Sequence, residues 1–324
     1  MRVAIDVSPL RQTRAGTARH LRGLLPELER LVDVEPLVWG GSRKAATVAR
    51  DLWWYPLGLA RRAHHADVLH CPSFRAPTNA RMPLVVTVHD LAVLRRPDAF
   101  NRWTRAYSRI VVPRVIRRAA RVIAVSEFTK RELVELLRVP DERIRVVPNG
   151  VAAPFVANGA RAGGEYVLVV GTVEPRKNLP RLVRATRASG LELRVAGSRG
   201  WGDVDVNGDG VRFLGFVPDD ELASLYRGAL CVAYPSLYEG FGIPVLEALA
   251  CGAPVVTSAG TAMAEVANGA AVLVDPQDPD AIAAGIDEAI ARRDELAPLG
   301  LARAAGFTWR AAAESTAAVY RDVA

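Results

Sequence analysis

Short apolar runs alternate with longer amphipathic stretches along this chain, and they do so twice over. In the first half the pattern predicts strands over 2–7, 34–39, 67–70, 84–88, 121–125 and 144–147, with helices over 17–31, 102–119 and 127–138. In the second half it predicts strands over 166–170, 191–196, 211–214, 229–234, 254–257 and 271–274, with helices over 178–189, 219–227, 244–251 and 278–295. Apolar strands alternating with amphipathic helices indicate an α/β protein whose parallel sheets are covered on both faces. The Pro-, Asn- and Gly-rich stretch 148–164 is the best linker, so two doubly wound domains facing a cleft are expected. The boundaries drawn are 1–156, 157–306 and a terminal helical segment 307–324, which Thr308 can cap. In such sheets ligands bind at the carboxyl ends of the strands.

Charge sharpens the division. Residues 1–158 hold 27 Lys and Arg against 14 Asp and Glu, and residues 159–324 hold 15 against 21. A basic half joined to a mildly acidic half implies two units with different partners. Within the basic half, 102–121 is amphipathic and carries Trp103 and Tyr107, a pattern that suits peripheral contact with an anionic membrane. Pro113 is placed to kink that helix. No nucleic-acid partner is expected, because stacking aromatics are few and no known motif appears. No apolar stretch reaches the ~18 residues of a membrane span. The N-terminus reads as a strand, and three cysteines without a CxxC spacing read as buried free thiols; the expected location is cytoplasmic, at the inner face of the membrane.

Candidate chemistry concentrates in 236–250. The apolar run 229–234 reads as a buried strand, Gly240 and Gly242 form a turn, and Pro244 stands where a helix begins. Free N–H groups at such a helix start attract anions. Glu239 lies in the turn and Glu247 about one helical turn inside, where the dipole favours an ionised carboxylate. Either glutamate alone reads as readily as an ordinary solvated or dipole-matched residue as it does as a functional one. Eight positions apart and straddling a glycine turn, they are a pair.

This segment, through Glu239, Gly240, Phe241, Gly242, Pro244, Glu247 and Ala248, resembles the Glu-x7-Glu motif of retaining glycosyltransferases of family 4, whose fold is GT-B. The resemblance implies that Glu239 and the amides of Gly240, Phe241, Gly242 and Ile243 hold the donor sugar, and that Glu247 holds the ribose. It covers nearly the whole chain, most strongly 166–257. It makes the first domain the acceptor-binding one and the second the nucleotide-sugar-binding one, and sends the last helix back onto the first.

Other segments fall in with it. The stretch from Gly171 through Thr172 to Arg176, Lys177 and Asn178 is strand, turn, paired cations and helix, which suits a diphosphate. The family has an Arg directly after the first glycine; here Thr172 stands there, so Arg176 is assigned that role beside Lys177. Phe216 and Val217 lie where relatives receive the nucleotide base. His89 ends the strand 84–88 and resembles the family's histidine at the donor sugar; with Glu239 it is assigned the catalytic role. His70 ends another strand and reads as packed. Gly16 and Arg19 match loosely the family's glycine-rich acceptor or phosphate loop, whose second glycine is missing. Ser126 matches a family serine and also reads as a helix N-cap.

The expected reaction is transfer of a sugar, first guess mannose from GDP-mannose, to a hydroxyl of a glycan or lipid-linked acceptor, with the nucleotide sugar as co-substrate and no cofactor. No metal is expected. Asp203 and Asp205 mimic a DxD motif and, with Asn207 and Gly208, a calcium loop, but Leu214 stands where that loop needs its last carboxylate. Two other functions stay open: a nonhydrolysing nucleotide-sugar epimerase of the same fold, and a non-catalytic nucleotide-sugar-binding protein.

Overall fold

The computed structural model describes residues 1–13, 16–39, 49–100, 102–200, 202, 204 and 209–324; Asp203, Asp205, Asn207 and Gly208 lie outside them. The chain forms two compact units, Met1–Gly150 with Thr308–Ala324, and Val151–Phe307.

In the first unit, β1 (Arg2–Asp6), β2 (Asp33–Leu37), β3 (Val68–Cys71), β4 (Leu84–Val88), β5 (Arg121–Ala124) and β6 (Ile144–Val146) form one parallel sheet. Its order is β2-β1-β3-β4-β5-β6, so the winding reverses between β1 and β3. The central strands are Val-, Leu- and Ile-rich because both faces are covered. Leu59, Val112, Val115 and Ile116 pack on one face. Leu21, Leu24, Leu28, Ala313, Ala317 and Tyr320 pack on the other. The latter six come from the Gly16–Leu28 and Trp309–Arg321 helices, so the C-terminal helix belongs to this unit. The two helices pack closely: a Cβ on Gly23 would stand 2.0 Å from the Trp309 ring. Thr308 caps the last helix, accepting from Ala311 N at 3.1 Å. His70 is packed, between the Thr87 hydroxyl at 2.8 Å and the Tyr320 hydroxyl at 2.7 Å. Ser126 Oγ accepts from Thr129 N at 3.0 Å and caps the Glu127–Leu137 helix.

In the second unit, β7 (Tyr166–Val170), β8 (Glu192–Ala196), β9 (Val211–Gly215), β10 (Cys231–Tyr234), β11 (Val255–Ser258) and β12 (Val272–Val274) form the other parallel sheet. Read from β9 the order is β9-β8-β7-β10-β11-β12, the doubly wound dinucleotide-fold order, and the winding reverses between β7 and β10.

The structure departs from the hydrophobic pattern in several places. The helix expected over 278–295 ends at Ala291, and a second runs Arg293–Ala304. Arg292 marks the corner, bonded to Glu288 on one side and Glu295 on the other. The second helix turns its own stripe of Leu296, Gly300 and Ala304 inward. A π-helix, Arg50–Gly58, and a short helix, Ala262–Ala267, carry too few turns to show a period. Pro113 lies inside the Arg102–Arg118 helix, which is one element. Among the described residues no helix is long and apolar enough to cross a membrane.

Candidate active site

The second unit's reversal point lies between β7 and β10, and the motif residues follow these two strands. After β7 the chain turns at Gly171, whose φ of +142° favours glycine. A Cβ there would stand 3.4 Å from Lys177 Cε. A short 3-10 turn, Pro175–Lys177, then presents Arg176 and Lys177. Asn178, at φ 61°, ends it and donates through Nδ2 to Pro235 O (3.0 Å) and Pro276 O (2.6 Å). Leu237 N donates to Arg176 O at 2.8 Å, so the post-β7 and post-β10 loops are stitched by backbone.

Glu239 joins the two loops by charge. Its Oε2 accepts from Arg176 Nη1 at 2.9 Å, and its Oε1 accepts from Lys177 Nζ. Lys177 Nζ also donates to the Tyr234 hydroxyl at 2.5 Å. Arg176 Nε pairs with Glu174 at 2.5 Å. Glu174, Lys177 and Glu239 are all buried. Burial pushes the Glu239 carboxyl up, but the Arg176 and Lys177 charges outweigh it and hold the group below its ordinary range. Burial likewise pushes the Lys177 ammonium down, against the pull of Glu239. Burial raises Glu174, opposed by the same two cations. Two cations thus face two carboxylates, and each charge is satisfied.

Glu247 sits on the Ile243–Ala250 helix, 2% exposed, and accepts from the Tyr226 hydroxyl at 3.0 Å. The helix begins at Gly242, φ +96°, where a Cβ would press to 2.7 Å on Met263 Cγ. Gly240 and Phe241 are buried in the same turn, and Phe241 meets the Phe307 ring edge-on at 6.0 Å. Val217 is buried and Phe216 is 51% exposed, both just past β9. So Gly171, Arg176, Lys177, Glu239 and the 240–243 turn form one cluster, with Glu247 one helical turn into the next element.

The remaining assigned residues belong to the first unit. His89 is half-buried after β4, and its Nε2 contacts Pro72 O at 3.1 Å. A carbonyl only accepts, so Nε2 carries the proton and Nδ1 is the ring's acceptor. Burial lowers its pKa to about 4, which keeps the ring neutral at physiological pH. The His20 ring stands edge-on to it at 4.8 Å. His20 is itself buried and bonded through Nδ1 to Asn149 Oδ1 at 2.7 Å. Gly16 is exposed at the start of its helix, and Arg19 is half-buried.

Sequence reasoning missed Glu174, Tyr234, Tyr226 and His20. Glu174 and Tyr234 stand in or beside segments already singled out, and proximity to paired cations was the available signal. Tyr226 and His20 lie on helices whose apolar stripes hide polar roles. Among the described residues no three His, Cys, Asp or Glu side chains gather as a metal site.

Residues 154–300 match the family described as glycosyl transferases group 1, and residues 15–153 match glycosyltransferase family 4. O-antigen chain mannosyltransferase B of Escherichia coli is 33% identical over 291 residues, 81% of this chain and 76% of that protein. A D-inositol 3-phosphate glycosyltransferase of Kineococcus radiotolerans is 32% identical over 287 residues, 74% of this chain and 66% of that protein. Sucrose-phosphate synthase from Thermosynechococcus elongatus, 20% identical, superposes with a TM-score of 0.80 over 99% of this chain and 98% of that one. The fold is therefore that of the GT-B glycosyltransferases. The chain belongs to glycosyltransferase family 4 and is a transferase enzyme.

Proposed function

We propose that the protein transfers mannose from GDP-mannose to a glycan hydroxyl, with retention of anomeric configuration and without a metal. The observation that carries this reading is the buried network of Arg176, Lys177 and Glu239 at the second unit's reversal point. The leaving diphosphate gains negative charge as the glycosidic bond breaks. Two fixed cations and the amides of the 240–243 turn suit that charge and need no reorganisation. Glu239 would exchange its cations for the sugar's hydroxyls as the diphosphate arrives, since an ionised carboxylate accepts only. Glu247, steadied by Tyr226, takes the ribose. Phe216 and Val217 take the base. Neutral His89 accepts from a sugar hydroxyl through Nδ1. Gly16 and Arg19 border the acceptor. The mannosyl assignment is supported by the O-antigen relative.

The Arg102–Arg118 helix is proposed to touch anionic lipid. It exposes Trp103 (48%) and Ile110 (55%) among arginines, and such a contact suits a lipid-linked acceptor on the cytoplasmic side. Buried thiols at Cys71, Cys231 and Cys251 fit a reducing compartment.

The test is turnover with a panel of nucleotide sugars, with the product anomer read by NMR. GDP-mannose should be preferred and the α configuration kept, and activity should persist in excess EDTA. Inversion would reject the retaining mechanism. Loss in EDTA with rescue by manganese or magnesium would reject the metal-free one.

A further inference from the structure

A buried tyrosine stands among the charges at the second unit's reversal point. Tyr234 ends β10 and is 1% exposed. Its backbone is fixed by pairing with β11 and by Thr257 Oγ1, which donates to Tyr234 O at 3.1 Å. The Tyr234 hydroxyl accepts from Lys177 Nζ at 2.5 Å and donates to Glu239 Oε1 at 3.5 Å. Lys177 Nζ also lies 4.8 Å from the centre of the Tyr234 ring. Gly171 stands against both groups: a Cβ there would come to 3.6 Å from the hydroxyl and 3.7 Å from Nζ.

The two acceptors around Lys177 differ in charge. Glu239 is an anion and competes with a diphosphate for the ammonium. Tyr234 is neutral: burial, with the Glu239 charge beside it, raises its hydroxyl well above the ordinary value, so it keeps its proton. A neutral oxygen holds an ammonium without cancelling its charge. An ammonium has three N–H groups. One donates to Glu239 and one to Tyr234, and the bond to Tyr234 fixes the direction of the others about the Cε–Nζ axis. A lysine side chain is flexible, and ordering it costs entropy. Once Glu239 turns to the sugar, the strand-end hydroxyl is what keeps Nζ in place.

We propose that Tyr234 is a positioning residue whose hydroxyl holds Lys177 on the donor diphosphate after Glu239 has exchanged its cations for the sugar. This role rests on the reading of Lys177 as a diphosphate ligand and adds the group that aims it. Lys177 stays tied to a fixed strand end throughout, while Glu239 changes partners. The leaving diphosphate gains charge as the glycosidic bond breaks, so a badly aimed ammonium costs more in the transition state than in the ground state.

The experiment uses the full chain and Tyr234→Phe, which removes the hydroxyl and keeps the ring. GDP, with UDP as the alternative if wild type binds that instead, is titrated calorimetrically into wild type, Tyr234→Phe, Lys177→Ala and the double variant. Turnover is followed with the matching nucleotide sugar. Tyr234→Phe should weaken the nucleotide diphosphate about fivefold, and should lower kcat about tenfold or more with a smaller rise in donor KM. In the Lys177→Ala background the same change should leave affinity within about twofold of Lys177→Ala alone, because a residue that acts through Lys177 then has nothing to aim. A merely structural tyrosine would weaken binding equally in both backgrounds. That result, or unchanged affinity and kcat in Tyr234→Phe, would overturn the positioning role. Failure of the diphosphate reading looks different: Lys177→Ala itself would bind as tightly as wild type, or wild type would bind neither nucleotide, and the positioning role would fall with it.

Discussion

The two units share a sheet plan and differ in how they treat charge at the reversal point. In the second, Arg176 and Lys177 are closed against Glu174 and Glu239. In the first, Asp6 is held by Ser8 and Tyr55, while Gln12 and Arg75 each leave a buried nitrogen without a hydrogen bond. A closed network suits a ligand that brings its own charge, because a diphosphate can replace one carboxylate with another anion. The same winding thus carries two differently paired sets of side chains, and the residues at the strand ends decide which.

The comparison is broken most severely at Lys177. Lys177→Ala leaves buried Glu239 with Arg176 as its one paired cation and removes a charge from the proposed diphosphate site. A fall of about a hundredfold to a thousandfold in kcat/KM is expected, with GDP affinity sharply reduced in calorimetric titration. Unchanged GDP affinity would remove Lys177 from the site.

Acid should separate the units next. All five histidines lie in the first unit. His20 and His70 are lowered to about 3, and His89 to about 4, each chiefly by burial. A histidine with a lowered folded pKa binds protons more readily when unfolded. Its contribution is complete above about pH 6.5 and is lost as pH falls below that value, at up to ~1.4 kcal/mol per pH unit for each group. Asp6, raised to about 6, works in the opposite direction and offsets one of the three. Glu239, held below its ordinary range, destabilises the second unit only once pH drops under the usual carboxylate pKa. Hydrogen exchange at pH 7 and pH 5, corrected for intrinsic rates, should show protection lost in the first unit's strands and kept in the second's. Equal loss in both would contradict the burial of neutral histidines.

The mildest change is Tyr226→Phe. It removes the hydrogen bond to Glu247 and keeps the ring, so donor KM should rise about fivefold with kcat unchanged. A fall in kcat with KM constant would place Glu247 nearer the chemistry than the ribose.

The strands and most helices were legible because apolar runs and amphipathic periods are local signals. The Glu239 and Glu247 pair, and the Arg176 and Lys177 pair, could be picked out for the same reason, since each lies within one short segment. What the sequence hid was partnership across it. Nothing local joins Glu239 to Lys177, 62 positions away, or His20 to Asn149, 129 away. Asp6 was passed over because it ends an apolar strand run, where only the finished sheet shows that its carboxylate is buried.

The central claim is a division of labour in which Arg176 and Lys177 hold the diphosphate, Glu247 the ribose and Glu239 the sugar. Titration of GDP into wild type, Glu239→Gln and Glu247→Gln tests it most directly, because GDP has the diphosphate and ribose but no sugar. Glu239→Gln should bind GDP at least as tightly as wild type, since the cations lose a competing carboxylate, while Glu247→Gln should bind it about tenfold or more weakly. Equal losses in both variants would contradict the account.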